Sequence, residues 1–250
     1  MGGETTRKKR AVQSCTLQFT LFALRFKQRA ETDASIVNSK SSMSTRVKIC
    51  GITNVPDALA AAEAGADMIG LMFYESSPRC VTLETGREIS RALPPYVLSV
   101  GVFVNPDPAF VGRAIAGCGL SLLQFHGDET SDFCTQFGLL SLKALRMRDA
   151  QSLTLLEPFK TSAFLLDAYS PGAPGGTGET FNWNLAVAAQ KFRKPIFLAG
   201  GLTPENVGAA VKKVRPFAVD VSSGVESAPG RKDPEKMRAF IKAVRNAEEK

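Results

Sequence analysis

From residue 46 onward, apolar runs of four to eight residues alternate with amphipathic stretches of eight to fourteen. The apolar runs are Val47–Cys50, Met68–Phe73, Val97–Val104, Ser121–Phe125, Leu139–Leu145, Ala163–Asp167, Pro195–Ala199 and Phe217–Val221. Short continuous apolar runs bounded by turn residues fit strands buried on both faces. Helices are expected to start near 56, 84, 107, 129, 149, 183, 204 and 234. "NVPDALAAAEAG" places Pro in the first turn and Gly past the end. In "LTPENV", Thr203 is the expected N-cap with Pro204 behind it, and Asp233 before Pro234 repeats the arrangement. Eight strands alternating with eight helices require a parallel sheet, because parallel neighbours need a crossover. About 205 residues for eight such units is near the compact limit of a (β/α)8 TIM barrel. A doubly wound open sheet is the rival architecture. It would be expected to carry a GxGxxG fingerprint after its first strand, and "CGITNVPD" does not.

A barrel fixes where chemistry is to be sought. Active sites lie at the C-terminal ends of the strands, and phosphate commonly sits at the loops after strands seven and eight. Here those loops are "AGGL" and "SSGVE". Gly200, Gly201 and Gly224 allow backbone N–H groups to approach an anion, and Ser222 and Ser223 add hydroxyls. Tight-turn closure is the plainer account of either loop alone; the pair at these two strands favours phosphate.

Few groups at the other strand ends titrate. Strand one ends in Cys50. Free Cys is by default buried and inert, but the last residue of a barrel strand, followed by Gly51, points toward the mouth, where a thiol can act as base or nucleophile. Asp167 ends strand six after "AFLL"; an acid there is rarely present for stability and is a candidate proton donor, the alternative being a loop hydrogen-bond acceptor. Arg79, on the loop after strand two, presents a fork suited to a carboxylate, or is simply solvated. His126, the only histidine, positions a ligand or caps strand four, and strand five offers Lys143 or Arg146. The loop "YSPGAPGGTGET" behind Asp167 reads as mobile and lid-like. A thiol, a carboxylate and an arginine at one opening suit proton shuttling on a sugar phosphate, with no cofactor and no metal.

Composition narrows the class. The chain has 250 residues, 44% of them hydrophobic, enough for a sizeable core. No apolar run approaches the twenty residues of a membrane span. Five Cys without a CxxC pair, and one His, argue against a disulfide framework and a structural zinc site. The formal charge of +7 suggests nucleic acid until it is divided: residues 1–42 carry eight Lys/Arg against three Asp/Glu, and the remainder is nearly balanced. The expectation is therefore a soluble cytoplasmic protein with a small-molecule substrate, a monomer or homodimer that binds neither nucleic acid nor membrane. Residues 1–42 form a basic extension expected to be disordered and residues 43–250 the barrel. Three readings of the extension stand open: translation upstream of a true start at Met43, a transit segment for organellar import, or a functional arm.

The motifs "VKICGIT", "GLMFYESSPRCV", "VGVFVN", "LLQFHGDE", "LLDAYSPGAPGGTGETFNW", "LAGGLTPENV" and "RPFAVDVSSGVE" resemble, in order and across about 46–245, the phosphoribosylanthranilate isomerases of tryptophan biosynthesis. The resemblance implies an Amadori rearrangement of N-(5-phosphoribosyl)anthranilate. Asp167 would be the general acid that opens the furanose, and Cys50 the general base that removes the C2′ proton. Arg79 would meet the anthranilate carboxylate, and Gly200, Gly201 and Ser222–Gly224 would hold the phosphate. Two positions depart from the pattern: Cys80 stands where an aromatic residue is usual, and Phe125, expected to matter only for packing, where an aliphatic one is. The rival activities are isomerisation or epimerisation of another sugar phosphate, a catalytically silent phosphate sensor, and a second use on the aminoimidazole ribotide of histidine synthesis.

Overall fold

Eight parallel strands close on themselves in sequence order in a computed structural model, which describes residues 44–168 and 182–249. They are β1 (Arg46–Cys50), β2 (Met68–Met72), β3 (Leu98–Phe103), β4 (Leu122–Phe125), β5 (Ser141–Met147), β6 (Ala163–Ala168), β7 (Ile196–Leu198) and β8 (Ala218–Val221). Closure comes from β8 pairing with β1, which sets Lys48 beside Asp220 and Ile49 beside Val221. The expected (β/α)8 barrel is the observed fold, and each strand overlaps its expected run. Readings that concern residues 1–42 and the loop behind Asp167 lie outside the described residues.

The covering helices are α1 (Val55–Ala64), α2 (Leu83–Ala92), α3 (Pro108–Cys118), α4 (Ser131–Thr135), α5 (Trp183–Ala189), α6 (Val207–Val214) and α7 (Pro234–Glu248). Their starts follow local chemistry. Asn54 accepts from the Asp57 N–H at the head of α1, Pro56 sits in the first turn, and Gly65 closes the end in the left-handed region. Asp233 caps α7 ahead of Pro234.

Two expectations need correction. Between β5 and β6 the chain forms a 3₁₀ helix, Ala150–Leu156, rather than an α-helix; Asp149 and Ser152 cap each other at its start, and Pro158 follows. After β7, Thr203 is not the side-chain cap. Its carbonyl accepts from the N–H groups of Asn206 and Val207, a turn intervenes, and α6 begins at Val207. The Asn206 carboxamide instead accepts from the Thr203 N–H at 2.9 Å and donates to the Gly201 carbonyl at 2.8 Å, bracing the loop after β7. A hairpin absent from the sequence reading, β9 (Glu226–Ala228) with β10 (Arg231–Lys232), follows β8.

Side chains alternate along each strand. Val47, Ile49, Leu123, Phe125, Phe164, Leu166, Val219 and Val221 join the large core beneath the helices. Val100, Leu142, Ala144, Leu165, Phe197 and Ala218 fill the smaller barrel interior. Phe125 stacks on Phe103 and Phe137 and meets Phe133 edge-on, which is the packing role expected of it. Among the described residues no helix is long and apolar enough to cross a membrane.

Candidate active site

The same alternation builds the mouth of the barrel. On β1 the residues that alternate with the outward Val47 and Ile49 are Lys48 and Cys50, and on β8 the residue between Val219 and Val221 is Asp220. By the same phase Gln124 on β4 and Asp167 on β6 face inward. Above them opens a cleft of about 690 Å³, lined by Cys50, Arg79, His126 and Asp167, by Gly200 and Gly201, and by Ser222–Gly224. Nine of the residues singled out in the sequence therefore share one cavity, and Lys143 and Arg146 do not. Cys50 is 6% exposed and Asp167 5%, so each borders the cleft without standing in bulk water.

Around the barrel the order runs β6, β7, β8, β1. The loops after β7 and β8 thus lie between the carboxyl of Asp167 and the thiol of Cys50. Gly200 and Gly201 hold φ of +83° and +63°, a region costly for other residues. Gly224 is required by contact: a Cβ there would lie 2.0 Å from the Leu202 carbonyl oxygen, so the β8 loop rests directly on the β7 loop.

Asp167 has a specific neighbour. His126 Nε2 lies 3.5 Å from its Oδ2, and His126 Nδ1 lies 3.3 Å from the Gln124 amide nitrogen. His126 thus stands between the carboxyl of Asp167 and the carboxamide of Gln124. The loop carrying His126 is held from below. Glu129 accepts from the N–H groups of Asn105 and Gly127, and Lys143 donates to Glu129 at 2.7 Å and to the Gly127 carbonyl at 2.5 Å. Lys143 thereby supports the loop and does not line the cleft; it sits on the outward face of β5, opposite Leu142 and Ala144. Arg146 is exposed and is likewise absent from the lining.

Arg79 is not a solvated surface group. Its Nε and Nη2 donate to the two carboxylate oxygens of Glu226 at 2.8 and 2.7 Å, which leaves Nη1 for another acceptor. Lys232 also donates to Glu226 at 2.6 Å and to the Ser222 carbonyl at 3.2 Å. The β9–β10 hairpin therefore ties Arg79 to the loop after β8. Burial pushes the Glu226 carboxyl up, yet the hydrogen bonds from Arg79 and the charge of Lys232 overcome this and hold it below the usual carboxylate range.

Burial likewise dominates the Cys50 thiol and raises it, Lys48 opposes that rise, and Asp220 adds to it. Cys80 is half-buried on the same side of the barrel and bridges to Met72; Cys118 and Cys134 are buried in the outer layer.

The sequence reading passed over Lys48, Gln124, Asp220, Glu226 and Lys232. One signal was available for the first and third: each interrupts an apolar strand, and Lys48 does so two residues before Cys50, hence on the same face.

This fold and cleft define a (β/α)8-barrel protein with acid–base groups gathered at the C-terminal ends of its strands. Residues 47–243 match the family model described as N-(5′-phosphoribosyl)anthranilate (PRA) isomerase. The chain belongs to that family. It is 54% identical over 200 residues to the N-(5′-phosphoribosyl)anthranilate isomerase of Geobacter sulfurreducens, covering 80% of this chain and 98% of the relative. The Azotobacter vinelandii protein of the same name is 54% identical over 204 residues, 81% of this chain and 98% of the relative. Among solved structures, phosphoribosyl anthranilate isomerase from Thermotoga maritima superposes with a TM-score of 0.75 at 42% identity, covering 81% of this chain and 99% of that one. A phosphoribosyl anthranilate isomerase in complex with reduced 1-(o-carboxyphenylamino)-1-deoxyribulose 5-phosphate superposes with a TM-score of 0.72 at 40% identity and the same coverage.

Proposed function

We propose that this chain converts N-(5′-phosphoribosyl)anthranilate to 1-(2-carboxyphenylamino)-1-deoxyribulose 5-phosphate, a step of tryptophan biosynthesis. The observation that carries the reading is the grouping of Cys50 and Asp167 on one cleft with the loops after β7 and β8 between them.

In this reading the substrate phosphate lies against Gly200, Gly201 and Ser222–Gly224, and its binding orients the pentose across the mouth. Asp167, in its acid form, protonates the furanose ring oxygen. The C1′–O bond breaks, the anilino nitrogen lone pair moves to C1′, and an iminium forms. Cys50, as thiolate, takes the C2′ proton; the electron pair of that C–H bond becomes the C1′–C2′ double bond of the enolamine. Ketonisation completes the isomerisation, and solvent exchange returns the proton to Asp167 and removes the one on Cys50. The iminium acidifies the C2′ proton, so a thiolate is a sufficient base. His126 orients the carboxyl of Asp167 through Nε2, and Nη1 of Arg79, free of Glu226, receives the anthranilate carboxylate.

A freely diffusing sugar phosphate suits a cytoplasmic enzyme, monomeric or homodimeric; a T. maritima relative is described as dimeric. The test is turnover of phosphoribosylanthranilate, followed by loss of its fluorescence, beside a panel of sugar phosphates without the anthranilate group. Turnover of the first alone supports the reading. Turnover of the panel without phosphoribosylanthranilate would replace it with another sugar-phosphate isomerase, and turnover of none would leave a ligand sensor.

A further inference from the structure

A lysine with 0% exposure inside a barrel needs a reason. Lys48 donates to Asp220 at 2.8 Å, across the β1–β8 pairing. The charge of its ammonium also bears on the Cys50 thiol. The two side chains converge over Gly70 of β2: a Cβ placed there would stand 2.7 Å from Cys50 Sγ and 3.0 Å from Lys48 Nζ. A side chain at 70 would press on both the thiol and the ammonium.

We propose that Lys48 is the positioning cation for the base: held by Asp220, its ammonium stabilises the Cys50 thiolate and aims it into the cleft.

The inference rests on the assignment of Cys50 as the base in the proposed isomerisation. Burying a thiolate without a counter-charge is costly, and the same burial would neutralise a lone lysine. Burial does act to lower Lys48, but Asp220 and then Cys50 outweigh it, so the group is raised and stays an ammonium. Asp220 thus keeps the cation charged, and the cation offsets the desolvation of the sulfur. Other charges also face the thiol. Lys232 approaches from β10 and Arg79 from the loop after β2, while β2 itself presents the uncharged Gly70 and Met72. Both of those cations already serve Glu226, whereas Lys48 has only Asp220 to share. A purely structural Lys48–Asp220 pair is the competing account, and it makes no demand on the titration of Cys50.

The experiment compares the wild-type protein with Lys48→Met and Lys48→Gln, the latter keeping an N–H donor for Asp220. Two readouts are taken across pH 5–10: the rate of Cys50 alkylation by iodoacetamide, located by peptide mass, and kcat with phosphoribosylanthranilate. The alkylation profile is expected to move to higher pH, with a rate at pH 7 lower by about 10-fold or more. The acid limb of kcat should move with it, kcat at pH 7 should fall about 10²-fold, and KM should stay within a factor of about three. A folded variant with an unchanged alkylation profile would overturn the proposal. If neither variant folds, ¹³Cε-lysine spectra of the wild-type protein decide: the Lys48 signal must step at the pH where Cys50 titrates, and that step must vanish in Cys50→Ser. No shared step overturns the proposal. Absent wild-type turnover would instead remove the isomerase reading, and the alkylation data would stand apart from it.

Discussion

Glu226→Gln tests whether the hairpin after β8 organises the arginine of the cleft. Glu226 accepts three charged hydrogen bonds, from Arg79 Nε at 2.8 Å, Arg79 Nη2 at 2.7 Å and Lys232 Nζ at 2.6 Å. Its side chain is 5% exposed and that of Lys232 0%. Glutamine offers one acceptor oxygen and an N–H₂ that cannot accept, so at least one cation loses its partner. Breaking a buried pair costs about 3–5 kcal/mol, and the remaining oxygen keeps the loss near the lower end, about 3 kcal/mol. At about 2–4 °C per kcal/mol for a domain of this size, Tm should fall by about 6–12 °C at pH 7. Because folding holds the Glu226 carboxyl low, its stabilisation is present above the unfolded-state value of about 4.3 and is lost as pH falls through the folded one. The gap between wild type and variant in thermal unfolding should therefore be full at pH 7 and close below about pH 4. With the fork released, KM should rise about 10-fold while kcat falls less. A Tm gap under about 2 °C at pH 7, or one that persists unchanged into acid, would refute the assignment of Glu226 as the clamp on Arg79.

Cys50→Ser and Asp167→Asn should each lower kcat by about 10²–10⁴-fold or more while a phosphorylated product analogue still binds in calorimetry; near-normal kcat in either would remove its role. Gly224→Ala places a methyl group against the Leu202 carbonyl and should weaken phosphate inhibition by about 10-fold or more, read from competition kinetics. Phe125→Ala empties the centre of the aromatic stack and should cost about 3–5 kcal/mol in urea unfolding with kcat retained at permissive temperature.

The strands were legible because a strand covered on both faces has to be apolar throughout, as "MIGLM" and "AFLL" are. The connections were less so. Residues 150–156 mix apolar and polar positions in a way that does not separate a 3₁₀ from an α-helix, and only the Asp149–Ser152 pairing decides it. "LTPENV" carried the composition of a cap, but a turn over 204–206 comes first and the helix begins only at Val207. The rim residues were found because strand ends are local facts. Their supports were not, because they join distant parts of the chain: Lys48 and Asp220 are 172 positions apart, and Arg79 and Glu226 are 147 apart. A charge inside an apolar run marks a burden that something elsewhere must balance, and only the register of β1 against β8 identifies what.

That register has a further consequence. The sulfur stands on the first staves of the barrel and its supporting carboxylate on the last, joined at the edge where β8 meets β1. A growing polypeptide released only as far as β7 would still lack Asp220, the Ser222–Gly224 loop and the hairpin that holds Arg79. Enzymatic competence thus arrives with the final strand, and the appearance of turnover during synthesis or refolding would time the instant at which the ring shuts.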